Sequence, residues 1–365
     1  MASESLFFTL LAFAFALGGV VGSFLNVVIY RVPAGKSVVT PGSHCPECDS
    51  AIRWYDNIPI ISWFILDGSC RDCDAEISPR YAVVEALMGF LSAALWIKVA
   101  ATHFGPDVPI TDVPWLSVGL AFSFYFVFLA LLVVITFVDL DHYLIPHEFT
   151  LPGIAIGIAA AFVLNSAWME PGSLAGLWPE VTVAKSVIGL LAGGLSVILL
   201  FYLYYAARGV EGLGGGDVTM MALMGTWLGW PALIFIFFAA SVQGLIAAAI
   251  GSLVGADFLS DSRDILAEDE ALDDSEPTAR RRVGEDSDDE EPDNSDDEDS
   301  DDDGDDEDSD DDGDETPEDT ADDQPPEGGL AIPFGPFIAL AALEFFFVGE
   351  FLPQWISLSY LYHGF

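Results

Sequence analysis

Apolar residues in this chain come in long unbroken runs, and the polar residues crowd into the stretches between them. Runs at about 6–30, 81–101, 116–138, 150–165, 184–206, 230–255 and 332–352 approach or exceed the roughly 20 residues that carry a helix across bilayer hydrocarbon. An eighth run, 217–229, is shorter and ends in "GTWLGW", which reads as a turn at the far face. The predicted fold is an all-α polytopic membrane protein of about eight transmembrane helices. The first run is expected to remain as a span rather than be removed as a signal peptide. It is long, it carries Glu4 with no positive charge before the apolar residues, and it lacks a clear cleavage site.

Charge changes this picture in one place. Hydrophobic residues make up 52% of the 365 positions, yet the formal charge is −45. Between Asp257 and Glu327 stand 37 of the 57 acidic residues and only four arginines (Arg263, Arg280, Arg281, Arg282), a local balance of −33. Such a tract repels itself and does not fold alone. The expected organisation is a first transmembrane helix (1–30), a cytoplasmic cysteine loop (31–80), a membrane core (81–256), a disordered acidic cytoplasmic insert (257–330), and a last span with the C-terminus (331–365). A lipid bilayer is the expected surrounding, and no nucleic-acid partner is expected. Lys and Arg favour cytoplasmic loops. With the N-terminus outside, ten of the twelve basic residues face the cytoplasm, and only Lys98 and Lys185 do not.

All four cysteines lie in one loop, as Cys45-x-x-Cys48 and Cys70-x-x-Cys73 with 21 residues between the pairs. Two such knuckles can complete a tetrahedral zinc site. A loop of this size builds little core, and a structural metal offsets that. Two disulfides or a redox pair are the other readings, and a cytoplasmic loop argues against stable disulfides. Four cysteines leave no open coordination position, so the expected zinc is structural.

Carboxylates stand at two run boundaries. Asp139 and Asp141 close "VVITFVDLD", and Asp217 follows Gly214, Gly215 and Gly216. An ionisable group at membrane depth usually faces a bundle interior and has a function. Two carboxylates brought together share a proton and can activate water against a peptide carbonyl. The glycines would let an extended peptide approach closely. The plainer reading is that these acids mark span ends and the glycines a turn. A transporter or proton channel using intramembrane acids, and a membrane-anchored scaffold built on the cysteine loop, also remain open.

Five segments in order then resemble one family. These are "GSFLNVVIYRVP" (22–33), "CPECDSAIRWYDNIPIISWFILDGSCRDCDAEISPRYAVVEAL" (45–87), "DLDHYLIP" (139–146), "GLGGGDVTMM" (212–221) and "IPFGPFIALAAL" (332–343). Together they resemble the bacterial type IV prepilin peptidases, the leader peptidase/N-methyltransferase family, within the G-x-G-D intramembrane aspartic proteases. The resemblance implies Asp139 and Asp217 as the catalytic pair, Gly214–Gly216 as active-site glycines, and Cys45, Cys48, Cys70 and Cys73 as zinc ligands. It also aligns Gly68 with a glycine linked to methyltransferase activity. Asp139 is preferred to Asp141 because it stands six residues before Ile145 of the Ile-Pro pair. The implied substrates are prepilins and pseudopilins with basic leaders, cut at the cytoplasmic face of a bacterial inner membrane. The implied methyl donor for the new N-terminus is S-adenosylmethionine. Two positions depart from the family pattern. Thr219 stands where a lysine is usual, and His147 where an acid or amide is usual. Oligomeric state is not legible.

Overall fold

The computed structural model describes residues 2–105, 108–167, 169, 172–174, 177–208, 214–254 and 333–353. The chain divides into two units, Met1–Ala248 with Ile332–Phe365, and Ala249–Ala331. The expected acidic insert lies outside the described residues.

The described residues are helical, and their only strand-like pairing is two isolated antiparallel bridges in the cysteine loop. We number the helices α1 (Ala2–Arg31), α2 (Ile61–Ile65), α3 (Arg80–Ala100), α4 (Trp115–His142), α5 (His147–Leu164), α6 (Val183–Arg208), α7 (Gly215–Leu228), α8 (Trp230–Val254) and α9 (Gly335–Val348). Six of them, α1, α3, α4, α5, α6 and α8, are long and apolar enough to cross a membrane. Helices α7 and α9 have 14 residues each. At 1.5 Å per residue that is about 21 Å, less than the ~30 Å of hydrocarbon. The expected count of about eight therefore comes to six by length, with two shorter helices inside the same unit. Helix α7 is short because glycines bound it. Gly214 caps its start, and Gly229, at φ 79, turns the chain at its end.

Small residues set how the helices pair. A bilayer supplies no hydrophobic drive between helices, so close packing supplies the attraction. Gly189 of α6 lies against Gly225 of α7, and a side-chain carbon on either would run into the other's carbonyl. Gly193 meets the Met221 carbonyl in the same way. That register makes α6 and α7 antiparallel. Gly18 and Gly22 of α1 lie against Met88 and Glu85 of α3, and Ser92 Oγ donates to the Ala14 carbonyl (2.7 Å). These two helices are antiparallel as well. Gly153 and Gly157 of α5 face Leu223 and Trp227 of α7, so α5 and α7 run the same way. Helix α4 is central. Tyr125, Phe128, Leu132, Ile135 and Val138 are buried along it, three or four residues apart as one helical face requires. The Phe128 ring stacks on Trp227 with centroids 5.0 Å apart, and Tyr125 meets Phe346 of α9 at 4.9 Å.

These registers bring four helix ends together: the C-terminal end of α4 and the N-terminal ends of α5, α7 and α9. Lys98 and Lys185 belong to the opposite ends of α3 and α6.

Candidate active site

Asp139 continues the buried face of α4, one helical turn beyond Ile135. It is 4% exposed. The backbone of Gly335, in the first turn of α9, lies directly against its carboxylate. Its Oδ2 atom is fully buried and has no hydrogen-bond partner among the described residues. Asp141, two residues on, points to a different side of the helix. Arg80 Nη2, at the start of α3, bonds its Oδ2 at 2.5 Å, and the same guanidinium lies over the Phe137 ring. A buried carboxylate with a vacant acceptor is chemically poised. A carboxylate held by arginine at the rim is a strut.

Asp217 occupies the first turn of α7, where the helix dipole favours an acid. Its backbone N–H donates to the Gly214 carbonyl (3.2 Å). Its charge acts electrostatically on Asp139. Gly215 and Gly216 are helical rather than part of an open loop. The space beside Gly215 is open, whereas that beside Gly216 is used by the protein. A side-chain carbon at Gly216 would come within 2.8 Å of Ile145 Cβ.

Ile145 ties both acids together. It is buried, in the link between α4 and α5. Tyr143 (φ 55) ends α4, and Pro146 precedes α5 and cannot continue a helix back through it. Ile145 thereby packs beside Gly216 on one side and Gly335 on the other. A side-chain carbon at Gly335 would strike Asp139 Oδ2 and lie 3.4 Å from Ile145 Cδ1. Sequence reasoning did not single out Gly335. Its signal was a glycine opening the last apolar run just before Pro336.

The two departures from the family pattern touch each other. Thr219 Oγ1 is 3.4 Å from His147 Nδ1. It also donates to the Gly216 carbonyl (2.9 Å) and accepts from the buried Thr150 hydroxyl (3.2 Å).

The cysteines converge in the loop between α1 and α3. All four Sγ atoms lie within 4.8 Å of one another, and Cys45 and Cys73 are 3.8 Å apart. Zn–S bonds of about 2.3 Å in a tetrahedron put sulfurs about 3.8 Å apart, so the set fits zinc. The knuckles repeat one construction. Asp49 N–H bonds the Cys45 carbonyl (2.9 Å), and Asp74 N–H bonds the Cys70 carbonyl (3.0 Å). Both aspartates are left-handed, at φ 53 and 60. Backbone N–H groups of Asp72 and Cys73 pull the Cys70 thiol down to about 7, which favours the thiolate a metal needs. No disulfide joins the four. Gly68 belongs to the second knuckle. Its carbonyl accepts from Ile77 (2.7 Å), its φ is +66, and a side-chain carbon there would come 2.9 Å from the Trp63 ring.

Comparison with known proteins bears on both halves. The model of the bacterial Peptidase A24 N-terminal domain matches residues 16–99, which hold the four cysteines. The model of the type IV leader peptidase family matches residues 126–249, which hold Asp139 and Asp217. A curated prepilin leader peptidase/N-methyltransferase of Dichelobacter nodosus is 35% identical over 263 residues, covering 64% of this chain and 81% of the relative. This chain belongs to the type IV leader peptidase family. Relatives of the same name include one of Neisseria gonorrhoeae, 33% identical over 261 residues (65% of this chain, 80% of the relative). Another, of Myxococcus xanthus, is 37% identical over 234 residues and covers 64% of this chain. The chain spans only 61% of that relative's length. No solved structure matches. Gly335 lies beyond both matched ranges, so its place beside Asp139 comes from the fold alone.

Proposed function

We propose that this member of the type IV leader peptidase family cleaves the leader from prepilin and pseudopilin substrates with Asp139 and Asp217, and then N-methylates the new N-terminus. The observation that carries the reading is the junction of four helix ends. There a buried aspartate with a vacant oxygen meets a second aspartate in the first turn of α7. One carboxylate takes a proton from water, and the water oxygen attacks the scissile carbonyl carbon. The other carboxyl gives a proton to the carbonyl oxygen. Collapse breaks the C–N bond, and the departing amine takes the remaining proton. Gly335, packed against Asp139, and the first turn of α7, which carries Asp217, hold the acids in place, so little reorganisation is needed during reaction. A transporter would need acids near the middle of the membrane, whereas these two sit at one end of the bundle.

The active site faces the cytoplasm of a bacterial inner membrane in this reading. Arg31, Lys36, Arg53, Arg71 and Arg80 belong to the site's end of the bundle, and Lys98 and Lys185 to the other, as the positive-inside rule asks. Cys45, Cys48, Cys70 and Cys73 would hold a structural zinc that ties the loop together. S-adenosylmethionine would supply the methyl group, and the freed amine would lose a proton on accepting it. The test is a purified chain in lipid vesicles with a prepilin. Mass spectrometry should show a product shortened by its leader and, with S-adenosylmethionine added, heavier by one methyl. An unchanged substrate would reject the reading.

A further inference from the structure

Residues 58–66, "IPIISWFIL", belong to the cysteine loop by sequence and carry no charge. They lie alongside the spans. Pro59 Cβ is 3.5 Å from where Gly19 of α1 would carry a side-chain carbon. The Ile60 N–H donates to Glu85 Oε2 of α3 (2.6 Å). Helix register gives the depth. Gly18 packs on Met88 and Gly22 on Glu85, so Gly19 is level with the stretch 85–88 of α3. At 1.5 Å per residue that stretch begins about 8 Å and ends about 12 Å along α3 from Arg80. Arg80 marks the rim, because it holds Asp141 at the end of α4. From Arg80 to Ala100, α3 has 21 residues, about 31 Å, which matches the hydrocarbon thickness. Pro59 and Ile60 therefore sit about 8–12 Å inside the rim by the same rise per residue.

A turn at that depth must satisfy its own polar groups, and this one does. Ile58 N–H donates to Ser62 Oγ (2.9 Å), which donates in turn to the Tyr55 carbonyl (3.0 Å). Ser62 N–H bonds the Ile58 carbonyl (3.0 Å), and Trp63 Nε1–H bonds the Ile77 carbonyl (2.9 Å). Glu85 closes the set at Ile60. The apolar side chains point outward. Ile61, Phe64 and Ile65 are 55%, 65% and 69% exposed, at the level where α1 and α3 expose Val20, Phe24, Val83 and Leu87. Their surface continues that of the spans.

We propose that residues 58–66 form a re-entrant turn that buries Ile61, Phe64 and Ile65 among lipid acyl chains on the active-site side of the membrane. The turn clamps the cysteine loop to α1 and α3. The test places photoreactive benzoylphenylalanine at position 64 or 65 of the full chain, in vesicles of phosphatidylethanolamine and phosphatidylglycerol without prepilin. Position 90, lipid-facing on α3, is the positive control, and position 39, exposed in the cysteine loop, the negative one. The expected result is phospholipid adducts at 64 and 65 in yield equal to position 90 and well above position 39. Yields at the level of position 39, or crosslinks to a second copy of the chain, would overturn the proposal. A hydroxyl-radical footprint of the unsubstituted chain in the same vesicles checks this without a substitution. Phe64 should be spared as Phe90 is, and labelling of Phe64 from water would overturn the inference.

Discussion

Asp139 and Asp141 are two residues apart and have opposite surroundings because a helix turns about 200° over two residues. One faces the bundle and keeps an oxygen vacant. The other reaches Arg80 at the rim. The glycine opposite Asp139 makes that vacancy possible. Gly335→Ala would drive a methyl group into Asp139 Oδ2 and against Ile145. It is expected to lower kcat for leader cleavage about 10- to 100-fold with the chain still inserted, the loss a misplacement of about 1 Å brings. Cleavage kinetics beside a membrane-insertion assay check this, and unchanged kcat would remove Gly335 from the positioning of Asp139. The two acids were legible because carboxylates at the ends of apolar runs are costly and stand out. Gly335 was not, because a glycine at the head of a span has no such cost. Only the antiparallel register of α4 and α9 brings it to Asp139.

Among the elements, span placement was readable from hydropathy, whereas helix pairing was not. Runs that are apolar all round show no face, so the buried side of α4 could not be chosen from the sequence. The same holds for α6 and α7, where the Gly189–Gly225 contact decides the pairing. Gly225→Val should force the two backbones apart, at a cost of about 1–3 kcal/mol as for other overpacked cores. Thermal unfolding in lipid should show a lowered Tm, and an unmoved Tm would contradict the packing described. The cysteine spacing was legible, since two knuckles need only local turns to converge. The depth of residues 58–66 was not, because it depends on Glu85 and Gly19, far away in sequence. Metal analysis should find one zinc per chain. Cys70→Ser or a strong chelator should remove it and open the loop 31–80 to protease, and a metal-free wild-type chain that resists protease equally would contradict a structural zinc.

At the scale of the whole molecule, the helix registers put the acids, the cysteine loop and most of the described basic residues at one end of the bundle. The acidic tract is joined in sequence to that end, because it leads directly into α9. A local balance of −33 attracts basic peptides, and salt screens such an attraction over about 10 Å at 0.1 M. Deleting residues 260–327 should raise KM for prepilin at low ionic strength and leave kcat unchanged. An unchanged KM would make the tract a bystander. The most direct test of the account is leader cleavage of a coexpressed prepilin by Asp139→Asn, Asp217→Asn and Asp141→Asn chains, all checked for insertion. Each change nearly preserves volume and removes one acid. The first two are predicted to leave the prepilin full length, while Asp141→Asn still cleaves it. Cleavage by either of the first two, or its loss only in Asp141→Asn, would contradict the assignment of the catalytic pair.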